Sequence, residues 1–227
     1  MNNKFVIIGG SSELAIGLSE KLADYSEVLN ISRKLIKSEH KNIKFLKVKD
    51  YSATEFQKIM KLLDKKQEHT FLFMNGITDS KAFYKMNEKE IKNILNVNLE
   101  IPILATNLII KEFMFKKTHY IYFTSSRALL GDRGISLYSS SKSALIYFVK
   151  SLSLEYSKFK QFFFAISLGV FDGGLVKEVK DKKLKDILNR SAINSYVNID
   201  ELAQSILYAS KTTSGSGSVI KVDNGYF

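Results

Sequence analysis

Short apolar runs alternate with longer stretches of helical periodicity along nearly all of this 227-residue chain, and that alternation confines it to a narrow set of folds. The apolar runs lie at Lys4 to Ile8, Glu27 to Ser32, Ile43 to Val48, Thr70 to Met74, His119 to Thr124, Phe162 to Ser167 and Ser218 to Val222. Helical patterns fall between them, at Leu14 to Tyr25, Ala53 to Lys65, Glu88 to Lys116, Leu137 to Lys158 and Ile199 to Ser210. Phe5-Val6-Ile7-Ile8 and Phe71-Leu72-Phe73-Met74 show no polar alternation, as strands buried on both faces require. The pattern predicts a single doubly wound α/β domain over residues 1–227, with about seven parallel strands and helices on both faces. A chain of this length buries one sizeable core and leaves little for a second. Thr213 to Gly217 reads as a short flexible connector to the last strand.

Composition narrows the function classes. Hydrophobic residues at 45% and charged residues at 25% are ordinary for a globular domain. With no cysteine, the chain has no disulfide, thiolate-bound zinc or thiol nucleophile. His40, His69 and His119 lack metal-ligand spacing and read as solvated or hydrogen-bonded structural residues, so no metal is expected. No apolar run approaches the roughly 18 residues of a membrane span, and Phe5 to Ile8 is too short for a signal peptide, so a cytoplasmic protein without a membrane partner is expected. The net charge of +11 suits polyanions, but the basic residues are scattered. Lys177, Lys180, Lys182, Lys183 and Lys185 interleave with Glu178, Asp181 and Asp186 as on a solvated helix face. A nucleic-acid partner is therefore not expected, whereas an anionic substrate fits the charge.

The first strand runs directly into Gly9-Gly10-Ser11-Ser12-Glu13-Leu14-Ala15 and then a helix. Free N–H groups and the positive end of a helix dipole face outward at such a turn, and the glycines let backbone approach a pyrophosphate closely, so the turn is a candidate dinucleotide site. At the other end of the chain's chemistry stand Tyr138 and Lys142, four residues apart on one helical face, where an ammonium can favour the phenol's anion. Reduction of a ketone needs an acid at the developing alkoxide and donors that stabilise it. Tyr156 and Lys160 repeat the spacing, and Ser143 stands thirteen residues before Tyr156 as Ser125 does before Tyr138. Ser143 falls inside a helix, however, whereas Ser125 ends the strand-like run Tyr120-Ile121-Tyr122-Phe123-Thr124 and can face a cofactor.

Phe123-Thr124-Ser125-Ser126, Tyr138-Ser139-Ser140-Ser141-Lys142 and Asn96-Val97-Asn98 resemble the catalytic segments of the short-chain dehydrogenase/reductase family, in its compact type, which resembles 3-oxoacyl-acyl-carrier-protein reductases. The closing Gly217-Ser218-Val219-Ile220-Lys221-Val222-Asp223-Asn224-Gly225 is similar to that family's last strand, so the resemblance spans the chain and implies a Rossmann-type fold. It implies that Ser125 hydrogen-bonds the substrate oxygen, Tyr138 exchanges the proton, Lys142 tunes Tyr138 and holds the ribose, and Asn98 positions a relay water. It also implies cofactor contacts at Gly9, Ser11, Ser12, Leu14, Asp50, Asn75, Gly76 and Gly169. Where NAD-specific members carry an acidic residue after strand two, this chain has Ser32 and then Arg33, which favours NADP(H) over NAD(H) because a guanidinium grips a 2′-phosphate bidentately. Glu13 and Ala15 depart from the family's glycines, Leu168 from its proline and Gly173 from its threonine.

These readings converge on an NADPH-dependent carbonyl reductase whose first candidate substrate is a 3-oxoacyl thioester. The alternatives are reduction of a free or nucleotide-linked keto sugar and, from the departures at Glu13, Ala15 and Gly173, a catalytically idle NADP-binding or scaffold protein. A sugar epimerase ranks lower because the chain is short for the added substrate domain. The pocket residues are expected between Leu175 and Asn198, and the resemblance implies a homodimer or homotetramer.

Overall fold

The computed structural model describes residues 3–78, 81–173 and 181–227, with the backbone alone for residues 181–183. Its strands are β1 (Asn3–Ile8), β2 (Val28–Ser32), β3 (Ile43–Lys47), β4 (Glu68–Phe73), β5 (Thr118–Ser125), β6 (Gln161–Leu168) and β7 (Val219–Val222). They form one sheet in the order β3-β2-β1-β4-β5-β6-β7, and every neighbouring pair is parallel. Chain order reverses between β1 and β4, where Ile8 pairs with Phe73, so the crevice that such sheets use for ligands opens above the ends of these two strands.

The helices are α1 (Glu13–Ala23), α2 (Ala53–Leu62), α3 (Glu88–Leu95), α4 (Ile101–Phe113), α5 (Ser126–Leu130), α6 (Ser136–Tyr156), α7 (Asp181–Leu188) and α8 (Ile199–Ala209). Alternate residues of the strands feed two cores. Val6, Ile8, Phe71, Phe73, Tyr120 and Tyr122 pack with α2, α4 and α6 on one face, and Phe5, Ile7, Leu72 and Ile121 pack with α1 and α8 on the other. The two fully buried tyrosine hydroxyls are satisfied, Tyr120 by Gln161 at 2.6 Å and Tyr122 by Thr106 at 2.6 Å.

Some details differ from the expectations. The single helix expected over Glu88 to Lys116 runs on through a π-helical turn at Asn96–Glu100 and ends at Phe113, where Met114 turns extended. This stretch, Glu88–Phe113, is apolar and long enough to cross a membrane by composition, but Ile101, Ala105, Ile109 and Phe113 are buried in the core. Short α5, unforeseen, begins where Ser125 caps it. The connector before β7 is tied down, with Gly217 N–H donating to the Phe163 carbonyl at 2.7 Å and Phe163 N–H to Ser216 Oγ at 3.0 Å. His69 is neither solvated nor hydrogen-bonded: it lies fully buried between the rings of Phe71 and Phe113, and neither ring nitrogen has a partner among the described residues. Of the expected solvated helix face, Lys177, Glu178 and Lys180 lie outside the described residues, and α7 begins at Asp181.

Candidate functional site: a nucleotide crevice with a serine, tyrosine and lysine at its mouth

The turn after β1 is held in shape from below. Gly9 adopts φ +87°, and a Cβ there would lie 2.8 Å from the Asn75 backbone nitrogen, so a side chain would part β1 from the segment after β4. A Cβ on Gly10 would fall 1.8 Å from Asn30 Oδ1. Asn30 is a fully buried amide in the middle of β2; its Nδ2 donates to the Gly10 carbonyl at 3.0 Å and to Ser19 Oγ at 2.9 Å. Ser12 is the N-cap of α1, its Oγ accepting from Ala15 N–H at 3.2 Å, so its side chain shapes the helix start. Ser11 is exposed and Leu14 half-buried against the core. The N-terminal N–H groups of α1 thus open at the sheet's switch point, as an anionic diphosphate requires.

At the end of β2, Ser32 Oγ donates to the Lys34 carbonyl at 2.5 Å, and Arg33 is exposed next to it. Asp50 follows β3 and has one carboxylate oxygen engaged locally. It accepts from Ser52 N–H at 2.9 Å in the turn before α2, and the Ser52 bonds hold its carboxyl below the ordinary range. Its neighbour Tyr51, which the sequence did not single out, lies against the turn after β1. The Tyr51 hydroxyl donates to the Ile31 carbonyl at 3.4 Å and interacts with the Gly9 backbone and the Arg33 charge, while burial pushes the phenol's pKa up.

The catalytic candidates converge at the C-terminal ends of β4 and β5. Ser125 ends β5 and its Oγ accepts Arg127 N–H at 3.3 Å, which leaves its own proton to donate outward. Tyr138 lies in the first turn of α6, where burial raises its phenol pKa; an interaction with the Ser125 hydroxyl and the charge of Arg127 act in the opposite direction. Lys142 follows one turn on, 4% exposed, and its ammonium donates to the carbonyls of Asn75 and Phe123, both at 2.8 Å. Desolvation lowers its pKa to about 8. Gly76 lies against this ammonium: a Cβ there would stand 3.4 Å from Lys142 Nζ, an ordinary contact distance.

Asn98 sits in the π turn, fully buried. Its Oδ1 accepts Ile77 N–H at 2.8 Å, and its Nδ2 donates to the Ile77 carbonyl and to Ser141 Oγ, both at 3.0 Å. The side chain therefore clamps the segment after β4 against α6, with both N–H groups and one lone pair of Oδ1 engaged. Gly169 is demanded by packing, since a Cβ would be 2.7 Å from Asp223 Cα. The departures at Glu13 and Gly173 meet in space: a Cβ on Gly173, which has φ +147°, would lie 2.6 Å from Glu13 Oε2. Of the expected pocket segment, residues 175–180 lie outside the described residues.

The residues present fit a dinucleotide. Asn75 Oδ1, beside Gly9 and Lys142, is buried with no hydrogen-bond partner among the described residues, as is Thr78 Oγ1 three residues on, so the crevice holds a polar atom that a ligand can satisfy. Fold and site together define a nucleotide-binding α/β protein with acid–base groups at the mouth of its crevice. The family model described as Enoyl-(Acyl carrier protein) reductase matches residues 44–227, and the chain belongs to the short-chain dehydrogenase/reductase family of NAD(P)-dependent oxidoreductases. Similar to it over nearly its whole length is the 3-oxoacyl-(acyl-carrier-protein) reductase FabG of Buchnera aphidicola subsp. Schizaphis graminum, 28% identical over 232 residues that cover 96% of this chain and 93% of the relative. Among solved structures, ElxO with NADP bound superposes with a TM-score of 0.88 at 17% identity, covering 100% of this chain and 99% of that one. 4-Hydroxyisoleucine dehydrogenase complexed with NADH does so with 0.85 at 19%, covering 98% of both chains. At these identities the superpositions speak for the fold.

Proposed function

We propose that the protein is an NADP(H)-dependent carbonyl reductase, interconverting a ketone and a secondary alcohol, with a 3-oxoacyl thioester as the first candidate substrate. The observation that carries this reading is the convergence of Ser125, Tyr138 and Lys142 at the mouth of a crevice floored by Gly9, Asn75 and Gly76. A bound nicotinamide supplies or accepts the hydride. The α1 N-terminus and the Gly9 to Ser12 turn hold the diphosphate, and Asn75 offers its unpaired oxygen to the ligand. Arg33 takes the 2′-phosphate; the hydroxyl of Ser32 and the absence of a carboxylate at this strand end support NADP(H) over NAD(H).

Ser125, its lone pair engaged by Arg127 N–H, donates to the substrate oxygen and orients it toward Tyr138. The Tyr138 phenol gives its proton to that oxygen in reduction and takes it back in oxidation. Lys142, anchored by two carbonyls, has one N–H left to direct at the phenol or a ribose hydroxyl. Asn98 keeps the carbonyl of Asn75 in place through Ile77.

Support for the thioester comes from the FabG relatives and the positive net charge, which suits a carrier-bound or phosphate-bearing substrate. A keto sugar is the second reading, favoured by the same charge if the sugar is nucleotide-linked. Self-association as a homodimer or homotetramer belongs to the proposal; Tyr147 and Leu154, exposed on one face of α6, support it. The test is a panel of 3-oxoacyl thioesters and keto sugars followed by loss of reduced-nicotinamide absorbance. Turnover of a thioester supports the reading, and tight NADPH binding without oxidation by any carbonyl replaces it with the idle scaffold.

A further inference from the structure

We propose that Arg127 is a positioning residue for the Tyr138 phenol: its guanidinium, steadied by Asp132 at the mouth of the site, is the permanent positive charge that favours the ionised phenol. The inference rests on the reading of Tyr138 as the acid–base group, but it concerns a different element from the lysine on the same helix.

The geometry starts from Ser125. Its Oγ interacts with the Tyr138 phenol on one side and caps α5 by accepting Arg127 N–H on the other, so Arg127 occupies the first turn of α5 directly beside the two hydroxyls. The Arg127 side chain is 21% exposed, and its Nε lies 3.5 Å from Asp132 Oδ2. Asp132, itself 13% exposed, also accepts from Arg190 Nη1 at 3.0 Å and from Arg133 N–H at 2.7 Å. Burial alone would raise the Asp132 carboxyl, yet the Arg190 bond, the Arg133 N–H and the two guanidinium charges hold it below its ordinary value. Two guanidinium groups therefore share one firmly ionised carboxylate, so Asp132 does not fully offset their charge, and the charge of Arg127 acts on the phenol.

The other cation near Tyr138 is Lys142, on α6 itself. Desolvation lowers the pKa of Lys142 to about 8, while the carbonyls of Asn75 and Phe123 accept from its ammonium. A guanidinium keeps its charge throughout. The segment after β4 comes near the same mouth at Lys81, whose backbone carbonyl would lie 3.9 Å from a Cβ on Gly134; the Lys81 side chain is paired with Glu90 at 2.5 Å, which leaves little net charge there.

Alkaline titration of tyrosinate absorbance, taken as the difference between the protein and its Tyr138→Phe variant, isolates this phenol and needs neither substrate nor turnover. A chain with no reductase activity would therefore still test the inference. Arg127→Gln is expected to raise the midpoint by about half to one pH unit, a part-exposed charge acting at less than the full effect of a close buried partner. Arg127→Lys should keep most of the original midpoint, and Asp132→Asn should lower it. An unmoved midpoint in Arg127→Gln overturns the assignment. If that variant does not fold, an unmoved or raised midpoint in Asp132→Asn does the same.

Discussion

Acidification should unfold this protein through two histidines that lie at the end of the sheet opposite the site. His69 and His119 are fully buried at the starts of β4 and β5, and desolvation lowers both to about 4 from an ordinary 6.5. Because the folded rings bind protons more weakly than the unfolded ones, their contribution to stability is complete above about pH 6.5 and is lost as the pH falls toward 4. Comparing proton binding at 6.5 in the unfolded chain with about 4 in the folded one gives a loss of about 2 kcal/mol per ring at about pH 5, or about 4 kcal/mol for the pair. His69→Leu, close in volume, removes one titration and also two buried nitrogens that lack partners among the described residues. Urea unfolding at pH 7.5 should therefore find the variant at least as stable as the parent. At about pH 5 it should have lost about 2 kcal/mol less. An acid-induced loss of the same size in both proteins would refute the assignment of this destabilisation to His69.

Three further outcomes follow from the site. Gly10→Ala drives a methyl into Asn30 and should cost about 1–3 kcal/mol in denaturant unfolding, partly restored by adding Asn30→Ala; equal costs in both backgrounds would detach the turn from the buried amide. Arg33→Ala should weaken NADPH about 10-fold or more in an equilibrium fluorescence titration while leaving NADH nearly unchanged, and equal weakening of both would remove Arg33 from the 2′-phosphate. Asn98→Ala leaves both backbone polar groups of Ile77 without this partner and should cost about 2–4 kcal/mol of stability, with a fall in turnover; a thermally unaltered variant would contradict its clamping role.

The fold was largely legible because the strands that build its centre are buried on both faces. Phe5 to Ile8 and Phe71 to Met74 must then be continuous apolar runs, and the helices between them follow from parallel pairing. Ser125, Tyr138 and Lys142 were legible for a similar reason, since a strand end and one helical face fix their relative positions. What escaped depends on contacts between residues distant in sequence. Asn30 reads as one polar residue in a strand until Gly10 and Ser19 are seen around it. Arg127, Asp132 and Arg190 look like ordinary surface charges, and only the fold brings Arg190 to Asp132 across 58 residues. The π turn left no mark in a helical pattern that continues through it, and five residues of α5 are too few for periodicity to declare itself. Tyr51 carried no signal for the same reason, since its contacts with the Ile31 carbonyl and the Gly9 backbone join residues distant in sequence.

The central claim is that the Tyr138 phenol hands its proton to a carbonyl whose hydride comes from a nicotinamide held in the β1–β4 crevice. Single-turnover mixing of enzyme-bound NADPH with a 3-oxoacyl thioester tests it, comparing the protein with Tyr138→Phe. The account predicts equal NADPH affinity in the two and a rate of cofactor oxidation at least about 100-fold slower in the variant, the scale of a lost general acid. Oxidation at an undiminished rate in Tyr138→Phe would contradict it.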